Sequence, residues 1–155
     1  MDVKMINPFI GAVSGIMPQI GFTSVSRKGI SLKEKKFMVS GVVLTLGIVG
    51  DKKGNVVYSI DMDGAKKIAS TMMMGMPVTA LDDMSISAIS ELGNMIMGNA
   101  ATIFSTKGYV IDITPPSVCH GDMTITQSYT QNICVPIHSG DEVALELNIA
   151  VIAEQ

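Results

Sequence analysis

The sequence predicts an α+β fold, a mostly antiparallel β-sheet with helices packed on its face. Three observations predict it. Residues 37–49, FMVSGVVLTLGIV, form a β-branched run that is followed by turn chemistry and a returning segment, VVYSID. Residues 82–106 carry apolar side chains at helical spacing over about seven turns. The order of segments is a helix, three strands, two helices and about four strands, which is not the strict alternation of a parallel α/β chain.

Each element has its own signal. Asn7 is a plausible N-cap with Pro8 at the first helical position, and Phe9, Ile10, Val13, Ile16 and Met17 recur at helical spacing, so a helix is expected over 7–19, ending near Pro18. Residues 21–32 read as a strand with polar alternation. Residues 37–49 read as a strand buried on much of its surface, because apolar side chains occupy both parities. Gly50-Asp51-Lys52-Lys53-Gly54-Asn55 is rich in turn formers, so a hairpin is expected there. Asp63 can cap a second helix running to about residue 75, stopped by Gly75 and Pro77. The long helix starts at Asp82 or Asp83 and runs to Lys107-Gly108. After it come a short strand, Tyr109 to Ile113, a break at Pro115-Pro116, and strands over 117–127, 129–138 and 142–153, with Ser139-Gly140-Asp141 as the turn between the last two.

Composition bounds the function. The chain has 155 residues, 47% of them hydrophobic and 16% charged, which suits one domain, 1–155, with a substantial core. The charged fraction is low for a monomer's surface and points to a face covered by a partner or a second copy. A net charge of −3 argues against sequence-independent binding to nucleic acid, which needs a basic face. The N-terminus has no basic segment leading into a long apolar run, and the longest apolar stretch, Val42 to Val49, falls far short of the roughly 20 residues that span a bilayer. A soluble, cytoplasmic protein with reduced thiols is expected, without nucleic-acid or membrane partners.

The long helix carries the chemistry. Met84, Ala88, Ile89, Leu92, Met95, Ile96, Ala100 and Ile103 make a wide apolar face, while Ser87, Glu91, Asn94, Gly98, Thr102 and Ser105 fall within an arc of roughly 80°. Glu91 is the only charged residue between Asp83 and Lys107, so no Lys or Arg one turn away can pair with it. Asn94 and Gly98 both weaken a helix, Gly98 by about 1 kcal/mol relative to alanine. Gly98 also removes a side chain just beyond Asn94, which lets another molecule approach. A plain solvated face would mix lysine with glutamate, whereas one acid among small polar groups suits docking.

One carboxylate and one carboxamide on adjacent turns do not make a complete hydrolase. A glycosidase needs a second carboxylate. Neither His120 nor His138 stands in a serine-hydrolase context, and no phosphate-binding or dinucleotide fingerprint is present. A carboxamide can, however, orient water for in-line attack on phosphorus, and a carboxylate can grip a lysine on the molecule that carries the phosphoryl group. Such a pair would complete a partner's active site.

At these residues the sequence resembles the CheC/CheX/FliY family of chemotaxis phosphatases. The family motif is a Ser or Asp, three residues, Glu, two residues, Asn, and a proline some twenty residues on. Here it reads Ser87, Glu91 and Asn94, with Pro115 and Pro116 at about the right distance. INPFI, GIVGDKKGNVVYSID, MMMGMPVTALDDM, ELGNMIMGNA and ITPPSV extend the likeness over nearly the whole chain. CheC-type members carry two Glu-x-x-Asn motifs, and the first helix here lacks one, which points to the CheX branch. The resemblance implies an aspartyl-phosphate phosphatase acting on a phosphorylated CheY-like receiver domain. It implies that Asn94 positions the attacking water, that Glu91 contacts the receiver's active-site lysine, and that Ser87 and Gly98 belong to the partner-binding surface. It also implies no cofactor of the protein's own, Mg²⁺ supplied by the receiver, and a homodimer joined through β-structure. The alternative is a non-catalytic receiver-binding or flagellar-switch-like module of the same family. A third reading, a metabolic enzyme, would need a deep apolar pocket remote from Glu91.

Other residues have plainer readings. Cys119, His120, Cys134 and His138 match no paired zinc plan. Met72, Met73, Met74 and Met76, among 13 methionines, read as core filler near a contact surface. Asp61, Asp63 and Gly64 lack the glutamate of a calcium loop and read as a helix cap.

Overall fold

A computed structural model describes residues 5–22, 25–27, 29–34, 36–127, 132–140 and 143–153. The elements run α1 (Asn7–Gln19), β1 (Val25–Arg27), β2 (Ser31–Lys33), β3 (Lys36–Gly50), β4 (Lys52–Ile60), α2 (Met62–Met72), α3 (Asp83–Thr106), β5 (Ile111–Ile113), β6 (Ser117–Thr126), β7 (Asn132–Ser139) and β8 (Val143–Ala153). The strands form one sheet in the order β1-β7-β8-β4-β3-β5, with β2 also on β7 and β6 also on β3. Every pairing is antiparallel, as the fold class predicts.

The alternating pattern of the four central strands builds the floor on which the helices sit. Three cross-strand rows align: Ile137, Leu145, Ile60 and Val42; Val135, Leu147, Tyr58 and Leu44; Ile133, Ile149, Val56 and Leu46. All twelve are buried in the main core. They meet Phe9, Val13 and Met17 of α1, Ala65, Ile68 and Ala69 of α2, and Ile89, Leu92, Ile96, Ala100 and Phe104 of α3. The third helix packs against both of the others, so its inward half is fixed on three sides.

The opposite face of the sheet is partly covered by the chain's own strands. Gly41 and Gly121 stand directly opposite each other, with φ of 129° and 118°. A side chain at Gly41 would collide with the Ile60 carbonyl oxygen, so glycine is required there. Outward of this pair, Phe37, Val39, Met123 and Ile125 close over Val43 and Val57 as a second small cluster.

Several boundaries differ from expectation. The hairpin turn shrinks to Asp51, because Lys52 to Gly54 continue as strand against β8 and Val49 and Gly50 pair with β5. Tertiary partners on both flanks extend the ladder through residues whose composition favours a turn. In place of one strand over 21–32 there are two three-residue strands, Val25–Arg27 and Ser31–Lys33, both on β7. The first helix is capped at Ile6, with Asn7 inside it. The second is capped by Asp61, whose Oδ1 accepts the Gly64 amide at 2.6 Å, and it ends at Met72, not near residue 75. Pro115 and Pro116 form a bulge: Thr114 stands at the Gly47 register and Ser117 opposite Thr45, so both prolines face the single position of Leu46. Prolines suit that place on an edge strand because they have no amide to pair. The expected turn at 139–141 and the start of the strand at 129 lie partly outside the described residues.

Candidate functional site

The third helix is held at both ends. Asp82 is the N-cap, and its Oδ1 accepts from the Ser85 amide at 2.8 Å and the Ser85 hydroxyl at 2.7 Å. These two hydrogen bonds, the hydroxyl first, hold the Asp82 carboxyl below the usual carboxylate range. At the other end Gly108 takes a φ of 88°, its amide donates to the Ser105 carbonyl, and the Tyr109 amide donates to the Phe104 carbonyl. This is the glycine stop foreseen at Lys107-Gly108. Phe104 stacks edge-on against Phe9 at 5.5 Å and Tyr109 at 6.3 Å, and the Lys52 ammonium lies 4.4 Å from the Tyr109 ring.

Between these anchors the outward stripe is open to solvent. Ser87, Glu91, Gly98, Thr102 and Ser105 are exposed, and Asn94 is half-buried. On an ideal helix Glu91 and Asn94 are one turn apart, with Cβ atoms about 5–6 Å from each other. Among the described residues neither the Glu91 carboxylate nor the Asn94 carboxamide makes a hydrogen bond or ion pair. Nothing crowds Gly98, since an added Cβ would meet no atom within 4 Å. The Thr102 hydroxyl donates to the Gly98 carbonyl at 3.1 Å and is thereby turned along the helix.

The same face carries a residue that sequence reasoning placed elsewhere. Met84, expected on the apolar inward side, is 62% exposed. Seven residues before Glu91, it lies about 20° from it on the helical wheel, inside the arc of the stripe. The spacing was the available signal, and side-chain chemistry outweighed it.

Other candidate places are less suited to chemistry. A cavity of about 10 Å³ under α3, walled by Tyr58, Ile89, Leu92 and Gly93, holds at most about one water-sized sphere. Burial pushes the Tyr58 phenol far up, so it is a neutral wall of that cavity. A groove of about 360 Å³ lies across the sheet instead, lined by Ser40, Ser59, Asp61, His138 and Glu146 among others. It is open and mixed in polarity, unlike the deep apolar pocket a metabolic enzyme would require. Cys119 and His120 on β6 are separated from Cys134 and His138 on β7 by three strands. Among the described residues no three acidic, histidine or cysteine side chains cluster as a metal site, and no helix is long and apolar enough to cross a membrane.

The family model for the chemotaxis phosphatase CheX matches residues 42–138, a span that contains all of α3. The chain belongs to the CheX family. It is 33% identical over 152 residues to the CheY-P phosphatase CheX of Thermotoga maritima, covering 97% of each chain. The chemotaxis protein CheX of Desulfovibrio desulfuricans has the same fold, with a TM-score of 0.85 at 19% identity over 96% of this chain and 99% of that one. A chain of the CheX–CheY–BeF₃–Mg²⁺ complex from Borrelia burgdorferi is 29% identical, with a TM-score of 0.81 over 94% of this chain and 96% of that one. In this CheX-family chain the Glu-x-x-Asn motif therefore lies on the solvent face of a helix whose other face is built into the core.

Proposed function

We propose that this chain hydrolyses the aspartyl phosphate of a CheY-like receiver domain by inserting Glu91 and Asn94 into the receiver's phosphorylated pocket. The observation that carries the reading is the pair itself: two polar groups, without partners among the described residues, on the outward face of a helix held at both ends. The Asn94 carboxamide orients a water in line with the phosphorus. The water oxygen bonds to phosphorus, the bond to the aspartyl oxygen breaks, the receiver keeps a free carboxylate, and the phosphate departs with the water's protons. The Glu91 carboxylate pairs with the receiver's lysine, and Ser87 and Gly98 flank the contact. Mg²⁺ belongs to the receiver. The relative solved with CheY, BeF₃ and Mg²⁺ supports this assignment, since beryllium trifluoride stands in for a phosphoryl group. A homodimer joined through β-structure is part of the same reading, supported by Leu32 and Met38, which stand 75% and 81% exposed. Sedimentation of the purified protein as a monomer would remove that part.

Phosphate release from a phosphorylated receiver tests the activity. Asn94→Ala is expected to slow turnover by about 10²–10³ while binding survives, the scale on which one positioned donor matters in a reaction's transition state. Glu91→Ala weakens both binding and turnover. A wild-type protein that binds the phosphorylated receiver yet adds nothing to its decay would establish the non-catalytic module instead.

A further inference from the structure

From its place on α3 we infer that Met84 is the apolar docking residue of this face, gripping the receiver beside its phosphorylated pocket while Glu91 and Asn94 enter it. The inference rests on the phosphatase reading and adds a partner contact to it. The stripe from Met84 to Ser105 holds one large apolar side chain, and the remainder are Ser, Glu, Asn, Gly, Thr and Ser. That one is 62% exposed although it sits in the first turn of a helix whose opposite side is buried.

Size decides whether a receiver reaching Glu91 and Asn94 also covers Met84. A standard interface buries about 800 Å² on each partner, a round footprint of roughly 16 Å radius. At 1.5 Å per residue, Met84 lies about 13 Å along the axis from the midpoint of Glu91 and Asn94. It falls inside the footprint, at the N-terminal side. Glu91 and Asn94 exchange water for new polar partners, so part of what they gain is offset by lost hydration, whereas burying an apolar side chain adds affinity without that loss. The thioether chain also adapts its shape to a partner surface at small cost. The backbone beneath it is already ordered by the Asp82 cap and by Ser85, which is 2% exposed, so docking need only order the side chain. The partner surface this fits is an aliphatic patch about 10–15 Å from the receiver's acyl phosphate, on the side that faces the start of α3.

The test compares wild type, Met84→Ala, Met84→Leu and a control, Val110→Ala, which changes a residue 73% exposed on the segment after α3. Three quantities are read for each: the Kd for a receiver carrying BeF₃ and Mg²⁺, and the KM and kcat for phosphate release from the phosphorylated receiver. Met84→Ala is expected to raise Kd and KM about ten-fold with kcat unchanged. Met84→Leu restores binding, and Val110→Ala leaves every value at wild type. Met84 is 62% exposed, so its replacement is expected to change thermal unfolding little in comparison with its effect on Kd. A Met84→Ala protein with Kd and KM within two-fold of wild type overturns the inference. So does a loss of kcat in proportion, or a change in the protein's own oligomeric state, which would make a second copy the occupant. If wild type binds the BeF₃ receiver but releases no phosphate, the phosphatase reading fails, and the Kd comparison still decides the role of Met84.

Discussion

The two faces of α3 solve opposite problems with one stretch of chain. Inward, Ile89, Leu92, Ile96, Ala100 and Phe104 are almost entirely buried against the sheet and the other two helices. Outward, Ser87 and Glu91 are exposed and Asn94 is half-buried, and Met84 and Gly98 stand open. The helix contains a glycine on each side, and they behave differently. A Cβ at Gly93 would come 2.7 Å from Leu44 Cδ2, whereas one at Gly98 would meet nothing. The inward glycine is explained by packing and the outward one is not. Where the protein's own structure gives no reason for a residue that costs helix stability, the reason lies outside the molecule.

The comparison breaks if inward and outward changes have the same signature. The largest inward effect is expected from Phe104→Ala, which removes a ring that meets both Phe9 and Tyr109. About 3–5 kcal/mol of stability should be lost, read as a shift of the denaturant midpoint, while phosphate release per folded molecule stays near wild type. A Phe104→Ala protein of unchanged stability would show that the inward face is not the anchor described.

The glycine pair sharpens the comparison. Gly93→Ala places a methyl 2.7 Å from Leu44 Cδ2, so the buried Leu44 must shift, and that cost should offset the gain of about 1 kcal/mol in helix propensity. Gly98→Ala adds a methyl in open space and should stabilise the protein by about 1 kcal/mol. The same methyl stands on the proposed docking face, so receiver affinity should fall as stability rises. Opposite signs in unfolding and binding are the outcome to look for. A Gly98→Ala protein that gains stability and binds the receiver as wild type does would leave that glycine unexplained.

The difference between the faces also governs how much could be read from the residues alone. Both ends of α3 were legible because caps are local: Asp82 before an apolar-periodic run, Lys107-Gly108 after it. The apolar run of β3 was legible because few other structures hide side chains of both parities. The strand at Lys52–Asn55 was not, since its ladder depends on β8, about a hundred residues away, and local composition favoured a turn. The stop of α2 at Met72 ran short of the Gly75 and Pro77 signals, which only mark where a helix cannot continue. Glu91, Asn94 and Gly98 were visible as an anomaly, polar or small where a surface helix usually carries salt-bridging charge. Met84 was hidden because apolar character suggests burial, and only its angle on the helix places it outside.

The smallest expected effect concerns the turn that presents Met84 and Ser87. The Asp82 carboxyl titrates below its unfolded value of about 3.9, because the Ser85 hydroxyl and amide both donate to the charged form. A depressed carboxyl contributes its stability fully above the unfolded pKa and loses it as pH falls through the folded one. The start of α3 should therefore loosen only in acid, with no change near neutrality. Asp82→Asn keeps an acceptor for the Ser85 amide but does not titrate there. Thermal unfolding of the two proteins, followed between about pH 5 and pH 2, should show a shallower acid decline for Asp82→Asn. Parallel declines would mean that the cap is held by the shape of the turn and not by its charge. The outward face would then owe its ordered first turn, like the rest of α3, to what the inward face buries.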